Sequence, residues 1–452
     1  MHFPIDSWQN EVLEELQLRG AHITNFPSVR PYSMEDVNSF ENTLLYGKLL
    51  LPAFSVEMQY DTVNVLRLKP AIGYKWSLFS VFVQPVVKFG EDSLPPKEVF
   101  MDFFSADYER AYIKLDHKYF NLFIGRERFA IGPSPRYNLL LSGHAAPMDW
   151  FSYSLRSNTF RFSFYISRLD DLHAKPLEYS GDTITQYITA NRYLSIKRFD
   201  YSPAEWLNFG LSEGAVFGGE DYTLEIYHFN PIVFLQAYQY NWGKDVNFFL
   251  NFDSRIFLHN FSFYGSLLID DFQLESDPNN EPHHLGINVG IECADPFRLN
   301  KIFWMIEYTA VTQYTYSHFI PYQRYHYRDT PIGSLFGADY DEFFTKLTYH
   351  LKPFLDLYSQ ISYARKGETY IESIWPIHEN PRVQGDFFPN GNFLSGIVQN
   401  SITVGIGFRF FHHSWFLADL LIGYLHATDF DHNVGNTKRS IVAKLRLDLM
   451  NL

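Results

Sequence analysis

The chain lacks any long apolar run. The mostly apolar Leu49 to Val56 and the short Trp415 to Ala418 fall well short of the roughly 20 residues that a spanning helix needs, which excludes helical membrane spans. It has one cysteine, Cys293, so there is no internal disulfide and no Cys-rich zinc site, and the thiol reads as one small buried residue. Positive charge is short as well. With 37 basic against 51 acidic residues and a net charge of −14, the chain lacks the net basic face that simple nucleic-acid binding requires. Gly-x-Ser-x-Gly is absent, as is any glycine-rich loop opening a helix to cradle phosphate. Ser142, His144 and Asp149 lie near one another in sequence, but a catalytic triad is defined in space, so the chain reads as no enzyme and as needing no cofactor. The pairs His283-His284 and His412-His413 point to opposite faces of a strand and cannot chelate as units, and His318 and His326 read as structural or solvated. After Met1 comes His2-Phe3-Pro4-Ile5-Asp6, with no basic or apolar leader, which for an exported protein implies a mature chain whose signal peptide has been removed.

What is present is aromatic: 44 Phe, 31 Tyr and 8 Trp make up 18% of the residues, while mean hydropathy is only −0.19. Aromatics favour strands and membrane interfaces. Dispersed apolar residues at soluble-like hydropathy are how a transmembrane β-barrel reads, because every second residue faces lipid. Residues 401–410 show it: Ile402, Val404, Ile406, Phe408 and Phe410 share one face, with Thr403, Gly405, Gly407 and Arg409 on the other. The segments 159–170 and 441–449 repeat the pattern. A soluble sandwich also alternates, but seldom sustains so many long strands of this kind. The first fifty residues differ. Ser7 to Arg19 has helical spacing ended by Gly20, and a second helix is expected from Ser33, so residues 1–49 are expected to form a helical periplasmic subdomain and 50–452 the outer-membrane barrel.

Connections alternate between short and long, as in outer-membrane barrels with periplasmic turns and extracellular loops. This register puts 90–104, 170–188, 273–283, 316–340, 367–396 and 428–437 outside the cell and both termini in the periplasm. About twenty strands are candidates, the weakest near 50–60 and 222–229, and the number should be even. The chain ends Met450-Asn451-Leu452, without the aromatic residue that often finishes a bacterial barrel.

Two stretches carry chemistry. Gly132 to Pro147 breaks the alternation with three prolines and is expected to fold inward, narrowing a lumen that Phe249 and Tyr264 also help fill. Upstream, Phe120, Leu122 and Ile124 lead into Arg126 and Arg128. Since an arginine facing lipid near the midplane costs about 2–4 kcal/mol, a bulge at Gly125 is expected to turn both inward. There they would join carboxylates such as Glu127, Glu213 and Asp270, either bracing the wall or contacting solutes. The second stretch is Tyr314 to Arg328, where tyrosines interleave with Arg324 and Arg328. Aromatic faces stack on sugar rings and guanidinium forks grip carboxylates or hydroxyls, so Tyr322, Arg324, Tyr325, Tyr327 and Arg328 are the candidate polysaccharide-binding residues. Trp375, in a second aromatic loop with Tyr370, Phe387, Phe388 and Phe393, joins them. An aromatic girdle or self-packed loop is the plainer reading of both.

Several fragments recur in one order: Gly125-Arg126, Gly132-Pro133, Leu139-Leu140-Leu141-Ser142, Ala146-Pro147-Met148-Asp149, Arg192-Tyr193-Leu194 with Arg198, and Gly210-Leu211-Ser212-Glu213 with Gly218-Gly219. Asn230-Pro231, Asp253, Ile269-Asp270-Asp271-Phe272, Glu307-Tyr308, Tyr314 to His318 and Gly337-Ala338-Asp339 follow. Their order across roughly residues 4–350 resembles the Wzi family of capsule assembly proteins. Arg30-Pro31-Tyr32-Ser33 looks like the opening of Bacteroidetes-type members. The resemblance implies an outer-membrane barrel of about eighteen strands with a helical part at its periplasmic end. It also implies a non-enzymatic, lectin-like role in holding capsular or exopolysaccharide, in contact with outer-membrane lipid and lipopolysaccharide. A porin or uptake channel is the alternative.

Overall fold

The computed structural model describes residues 2, 8–21, 23–32, 52–60, 64–90, 99–101, 104–178, 185–230, 232–233, 246–271, 283–375, 393–412 and 415–450. The second helix expected from Ser33, and Phe387 and Phe388, lie outside them. Strand segments close into one antiparallel barrel. Two pairs of segments are single strands with an interruption, and Val99–Met101 is a short arm within a loop, which leaves eighteen. They are β1 (Pro52–Tyr60), β2 (Val65–Pro70 with Ile72–Trp76), β3 (Phe79–Gly90), β4 (Phe104–Asp116), β5 (Phe120–Glu127) and β6 (Met148–Arg156). Next come β7 (Phe160–Arg168 with Leu172–Ala174), β8 (Ile188–Ala204), β9 (Leu207–Glu220), β10 (Asn247–Leu258), β11 (Phe261–Asp271) and β12 (His284–Ala294). The last are β13 (Ile302–Val311), β14 (Tyr340–Lys352), β15 (Leu355–Lys366), β16 (Gln399–His412), β17 (Phe416–Thr428) and β18 (Thr437–Met450). The weak candidate near 50–60 is β1, which pairs with β18 in register Val56↔Leu447 and closes the barrel.

Alternation sets the two faces. Ile402, Val404, Ile406 and Phe408 are exposed on the outside of β16, while Gly405, Gly407 and Arg409 are buried on the inside. Connections at one end are short, among them 77–78, 205–206 and 353–354, and those at the other are mostly long, among them 312–339 and 367–398, so the long-loop end is extracellular.

The lumen is filled with protein. Helix α1 (Trp8–Leu18) buries Val12, Leu13 and Leu16 in the main apolar core and stops at Gly20, whose φ of +95° suits glycine. Its carboxylates bind the inner wall: Glu11 meets Lys346 of β14 at 2.6 Å and Arg409 of β16 at 3.3 Å, and Glu14 meets Arg255 of β10 at 3.0 Å and Arg30. Burial pushes the Glu11 carboxyl up, but the two cations outweigh it and hold its pKa at about 2. Arg19 pairs with Asp295 in the β12–β13 turn, which places the helix at the short-turn end. From the opposite end, 128–147 runs inward as its broken alternation predicts. It buries Leu139, Leu140 and Leu141 and meets the N-terminal segment where Val29–Arg30 pairs with Ala130–Ile131. The inner wall carries a lattice of ion pairs, such as Arg198 with Asp253 at 2.7 Å and Asp200 at 2.9 Å. Gly210 makes room for that guanidinium, since a Cβ there would lie 2.1 Å from Arg198 Nη2.

Three expectations are corrected. Residues 222–229 form a loop with a 3-10 turn at Ile226–Phe229, not a strand. Residues 221–230 fold down the outside of the wall, where Tyr222, Tyr227 and Phe229 cover the outward residues Phe164, Ile166, Ala215 and Phe217. A segment this aromatic copies the composition of a strand while packing as a flap. Beneath it, Glu213 sits on the outward register of β9 and pairs with Lys197 of β8 at 3.3 Å. Glu213 is therefore not in the lumen, and the flap shields from lipid a charged pair that would be costly there. Gly125 makes no bulge, because both of its ladders run through it without a register shift. Its φ is +135°, and a Cβ on it would lie 2.2 Å from the Ala111 carbonyl oxygen, so the glycine marks a close strand crossing instead. Without the bulge, Arg126 keeps the outward register of Ile124.

Candidate extracellular-rim site

The barrel wall is low at β5 and β6. The uppermost rung between β4 and β5 is Ala111↔Arg126, yet β4 continues upward to Phe104. Likewise the uppermost rung between β6 and β7 is Trp150↔Ser167, while β7 and β8 pair further up. The resulting notch in the outer rim is occupied by the tip of the 312–339 loop, a small hairpin with His326↔Pro331 and Tyr327↔Thr330. Arg328 spans it: its guanidinium lies 3.6 Å from Asp107 of β4 and its backbone N–H donates to Asp170, just beyond the main segment of β7, at 3.3 Å. From β8, buried Arg192 donates to the carbonyls of Tyr322, Arg324 and His326 at 2.9, 2.7 and 3.0 Å. One wall arginine thus holds three alternate residues of the loop backbone.

The sequence-predicted glycan residues converge here, but most point inward. Tyr325 is fully buried, donates from its hydroxyl to the Leu140 carbonyl at 2.7 Å, and packs on Phe249 and Tyr316 at ring-centroid distances of 4.4 and 5.6 Å. Arg324 is buried, donating to Glu178 at 2.7 Å and to the His318 carbonyl at 3.1 Å. Tyr327 is buried with the Arg328 guanidinium 5.3 Å from its ring. Trp375 is buried against Tyr314 and His284, at 5.3 and 5.5 Å, and so ties the second aromatic loop to the first. Tyr322 and Arg328 are only half-buried, and Tyr370 and Phe393 are exposed nearby.

The residues expected in the lumen divide. Asp270 faces inward at the top of β11 and accepts from the Tyr316 N–H at 2.7 Å. Arg128, just past β5, pairs with Glu109 at 2.8 Å and donates to the Gly143 and His144 carbonyls, bracing the inward segment. Arg126 instead reaches Asp149 at 2.6 Å and Asp107 at 2.7 Å on the rim. Asp107, Asp170 and Glu178 were missed in the sequence, and Arg192 stood there only within a family fragment without a role, because nothing local marks a carboxylate or arginine whose partner lies far along the chain.

The site's histidines are electrically quiet. Burial, helped by the Arg324 charge, pushes His318 down to about 3, and burial beside Arg128 pushes His144 down to about 4. Both are neutral at physiological pH, so the cationic groups at the rim are arginines. No group of three or more His, Cys, Asp or Glu suited to a metal occurs among the described residues. Chemically the rim offers contact through the half-buried Tyr322 and Arg328 and the exposed Tyr370 and Phe393, while Arg126, Arg192 and Arg324 are engaged by carboxylates and carbonyls.

A family model described as capsule assembly protein Wzi matches residues 23–433. Among solved structures, the chain is similar to an Escherichia coli protein described as Wzi, an outer membrane protein involved in group 1 capsule assembly and a carbohydrate-binding β-barrel. The TM-score is 0.68 at 17% identity, over 98% of each chain. It is also similar to a variant of OccD1 (OprD) at TM-score 0.47 and 9% identity, over 87% of this chain and 93% of that one. For OccD3 (OpdP) from Pseudomonas aeruginosa the values are 0.47 and 9%, over 88% and 91%. No curated protein sequence matches the chain.

Proposed function

Because the chain belongs to the Wzi family of capsule assembly proteins, we propose that this outer-membrane barrel binds capsular or exopolysaccharide at the cell surface and helps to assemble or retain it, without catalysis. The observation that carries the reading is the lumen: α1 from the periplasmic end and 128–147 from the outer end meet inside the barrel, an arrangement suited to adhesion rather than to diffusion. The glycan-contacting set centres on the rim hairpin. Tyr322 and Arg328, half-buried at its surface, contact the polymer. Arg324, Tyr325, Tyr327 and Trp375 hold the surface in shape from beneath. Residues 8–21 and 23–32, described stretches of the N-terminal segment, form the periplasmic half of the plug. The protein is net negative and surface polysaccharides are commonly acidic, so long-range electrostatics oppose the encounter and local arginines must supply the attraction.

The test is retention. Cells producing Tyr322→Ala with Arg328→Ala should release polysaccharide into the medium, while barrel abundance and heat-modifiability stay unchanged. Each stacking or charge-assisted contact contributes about 1–2 kcal/mol, so losing both weakens binding about tenfold or more. Unchanged cell-associated polysaccharide would move the contact surface to the 367–398 loop. Unchanged retention in a deletion strain would overturn the function itself.

A further inference from the structure

At the short-turn end of the barrel a cleft lies between the N-terminal segment 24–32 and the inward residues of β4–β7. Its volume is about 90 Å³, well below the roughly 300–1,000 Å³ of typical small-molecule sites and suited to a single oxyanion. We propose that this cleft is an anion site that takes a phosphate group from the periplasmic side.

The charged residues lining it are Arg30, Lys114, Arg156 and Arg161 against one carboxylate, Asp116. Arg30 is committed to the buried Glu14 and Lys114 to Asp116 at 2.6 Å. His2 also lines the cleft, and burial beside Lys114 and Arg110 pushes its pKa well down, so it adds no charge. Arg156 and Arg161 carry the site. They stand directly opposite each other across the β6–β7 pair, an arrangement of like charges that is destabilising by itself. Their carboxylates lie on the two flanks: Arg156 meets Asp116 of β4 and Arg161 meets Asp200 of β8, each at 2.9 Å. Both carboxylates are shared with a second cation, Asp116 with Lys114 and Asp200 with Arg198.

Hydrogen-bonding capacity is left over. Arg156 donates from Nε and Nη2 to the Lys118 and His117 carbonyls and to Asp116, and Arg161 donates from Nε and Nη2 to Asp200. In each guanidinium Nη1 makes no hydrogen bond among the described residues, and the side chains are 30% and 13% exposed, so solvent reaches both. Asn121 of β5 and Ser154 of β6, half-buried partners on one rung, also line the cleft without a side-chain hydrogen bond among the described residues. The mouth is held in shape, because the Arg161 guanidinium lies 4.6 Å from the Phe26 ring and Asn25 donates to the Asn158 carbonyl of the β6–β7 turn at 2.9 Å. Two guanidinium groups, an amide and a hydroxyl from three strands suit a tetrahedral anion. A phosphomonoester brings a charge of about −1.5 to −2 and three acceptor oxygens, where a carboxylate brings one charge and two oxygens. Asp116, flanked by two cations, does not outweigh them.

The cleft shares no residue with the rim, so this site and the glycan-holding function stand or fall separately. The full chain, purified in detergent and phosphate-free buffer at pH 7, is titrated calorimetrically with inorganic phosphate and with glucose 1-phosphate. Binding should saturate at one site per chain. Tighter binding of glucose 1-phosphate would identify a phosphorylated saccharide as the source, its sugar staying at the mouth, and equal or tighter binding of inorganic phosphate would identify the free ion. Arg156→Gln and Arg161→Gln should each weaken binding about tenfold or more. Both should fold, because Asp116 keeps Lys114 and Asp200 keeps Arg198, and heat-modifiability reports it. Asn121→Ala, which breaks no described ion pair or hydrogen bond, should weaken binding severalfold and serves where an arginine variant does not fold. Arg168→Gln, exposed at the opposite end of β7, should leave it unchanged. Absence of saturable binding, or parental affinity in the cleft variants, overturns the site. An equal loss in Arg168→Gln assigns the binding to general surface charge and overturns it as well.

Discussion

Arg126 and Arg328, far apart in the chain, share one carboxylate: Asp107 takes a hydrogen bond from Arg126 at 2.7 Å and lies 3.6 Å from Arg328. The pairing joins the top of β5 to the hairpin that fills the notch, so wall and loop are held by one anion.

Asp107→Asn should therefore loosen the hairpin without unfolding the barrel. Two partly buried guanidinium groups lose a counter-charge, at a cost on the order of 2 kcal/mol. Hydrogen exchange should rise across 322–331 and stay unchanged in β14–β18. Equal exchange in variant and parent would show that Asp170 and Arg192 suffice to hold the hairpin.

The plug predicts a closed barrel. Purified protein in planar bilayers should show no stable conductance steps, since α1, 128–147, Phe249 and Tyr264 occupy the lumen. Steps of porin magnitude would promote the channel alternative.

Orientation is open to labelling. An epitope inserted after Asn380 should be reached by antibody on intact cells, and one after Leu452 should not. The reverse pattern would invert the assignment of long loops to the outside.

Acid should unlatch the rim. His318 is held neutral in the folded loop at about 3, against an ordinary value of 6.5, so the opened loop binds a proton more readily than the closed one. The closed form is fully favoured above about pH 6.5 and loses stability as pH falls toward 3. Protection across 314–331, taken as the ratio of intrinsic to observed exchange at each pH, should fall between pH 7.5 and pH 5, and His318→Gln should flatten part of that dependence. A pH-independent loop in the parent protein would contradict it.

Arg324→Ala with Tyr325→Ala is expected to act through shape. Both side chains are buried and bonded to Glu178 and Leu140, so the pair should lower polymer retention and raise loop exchange together. Tyr322→Ala with Arg328→Ala should lower retention more than it raises exchange. Identical exchange profiles for the two double variants would remove the distinction between contact and support.

The sequence by itself determined the barrel, because period two is a local property: a strand's outward face is legible in Ile402, Val404, Ile406 and Phe408 without knowing its neighbours. Loop lengths supplied the end-to-end polarity in the same way, and the prolines of 132–147 disclosed a segment that cannot pair. The tertiary structure alone decided which face a charged residue takes where local rules compete. Glu213 was expected inside as a partner for inward-turned arginines, yet a flap packed on the wall covers it on the outside, where it pairs with Lys197. Arg126 was expected to be turned inward by a bulge, yet Asp107 and Asp149 at the rim make the outward register tolerable. Tyr325 and Trp375 have the composition of a glycan surface, but their burial comes from partners contributed by other strands and loops. Such choices depend on contacts between segments far apart in the chain, whose free energies appear only once the barrel has closed.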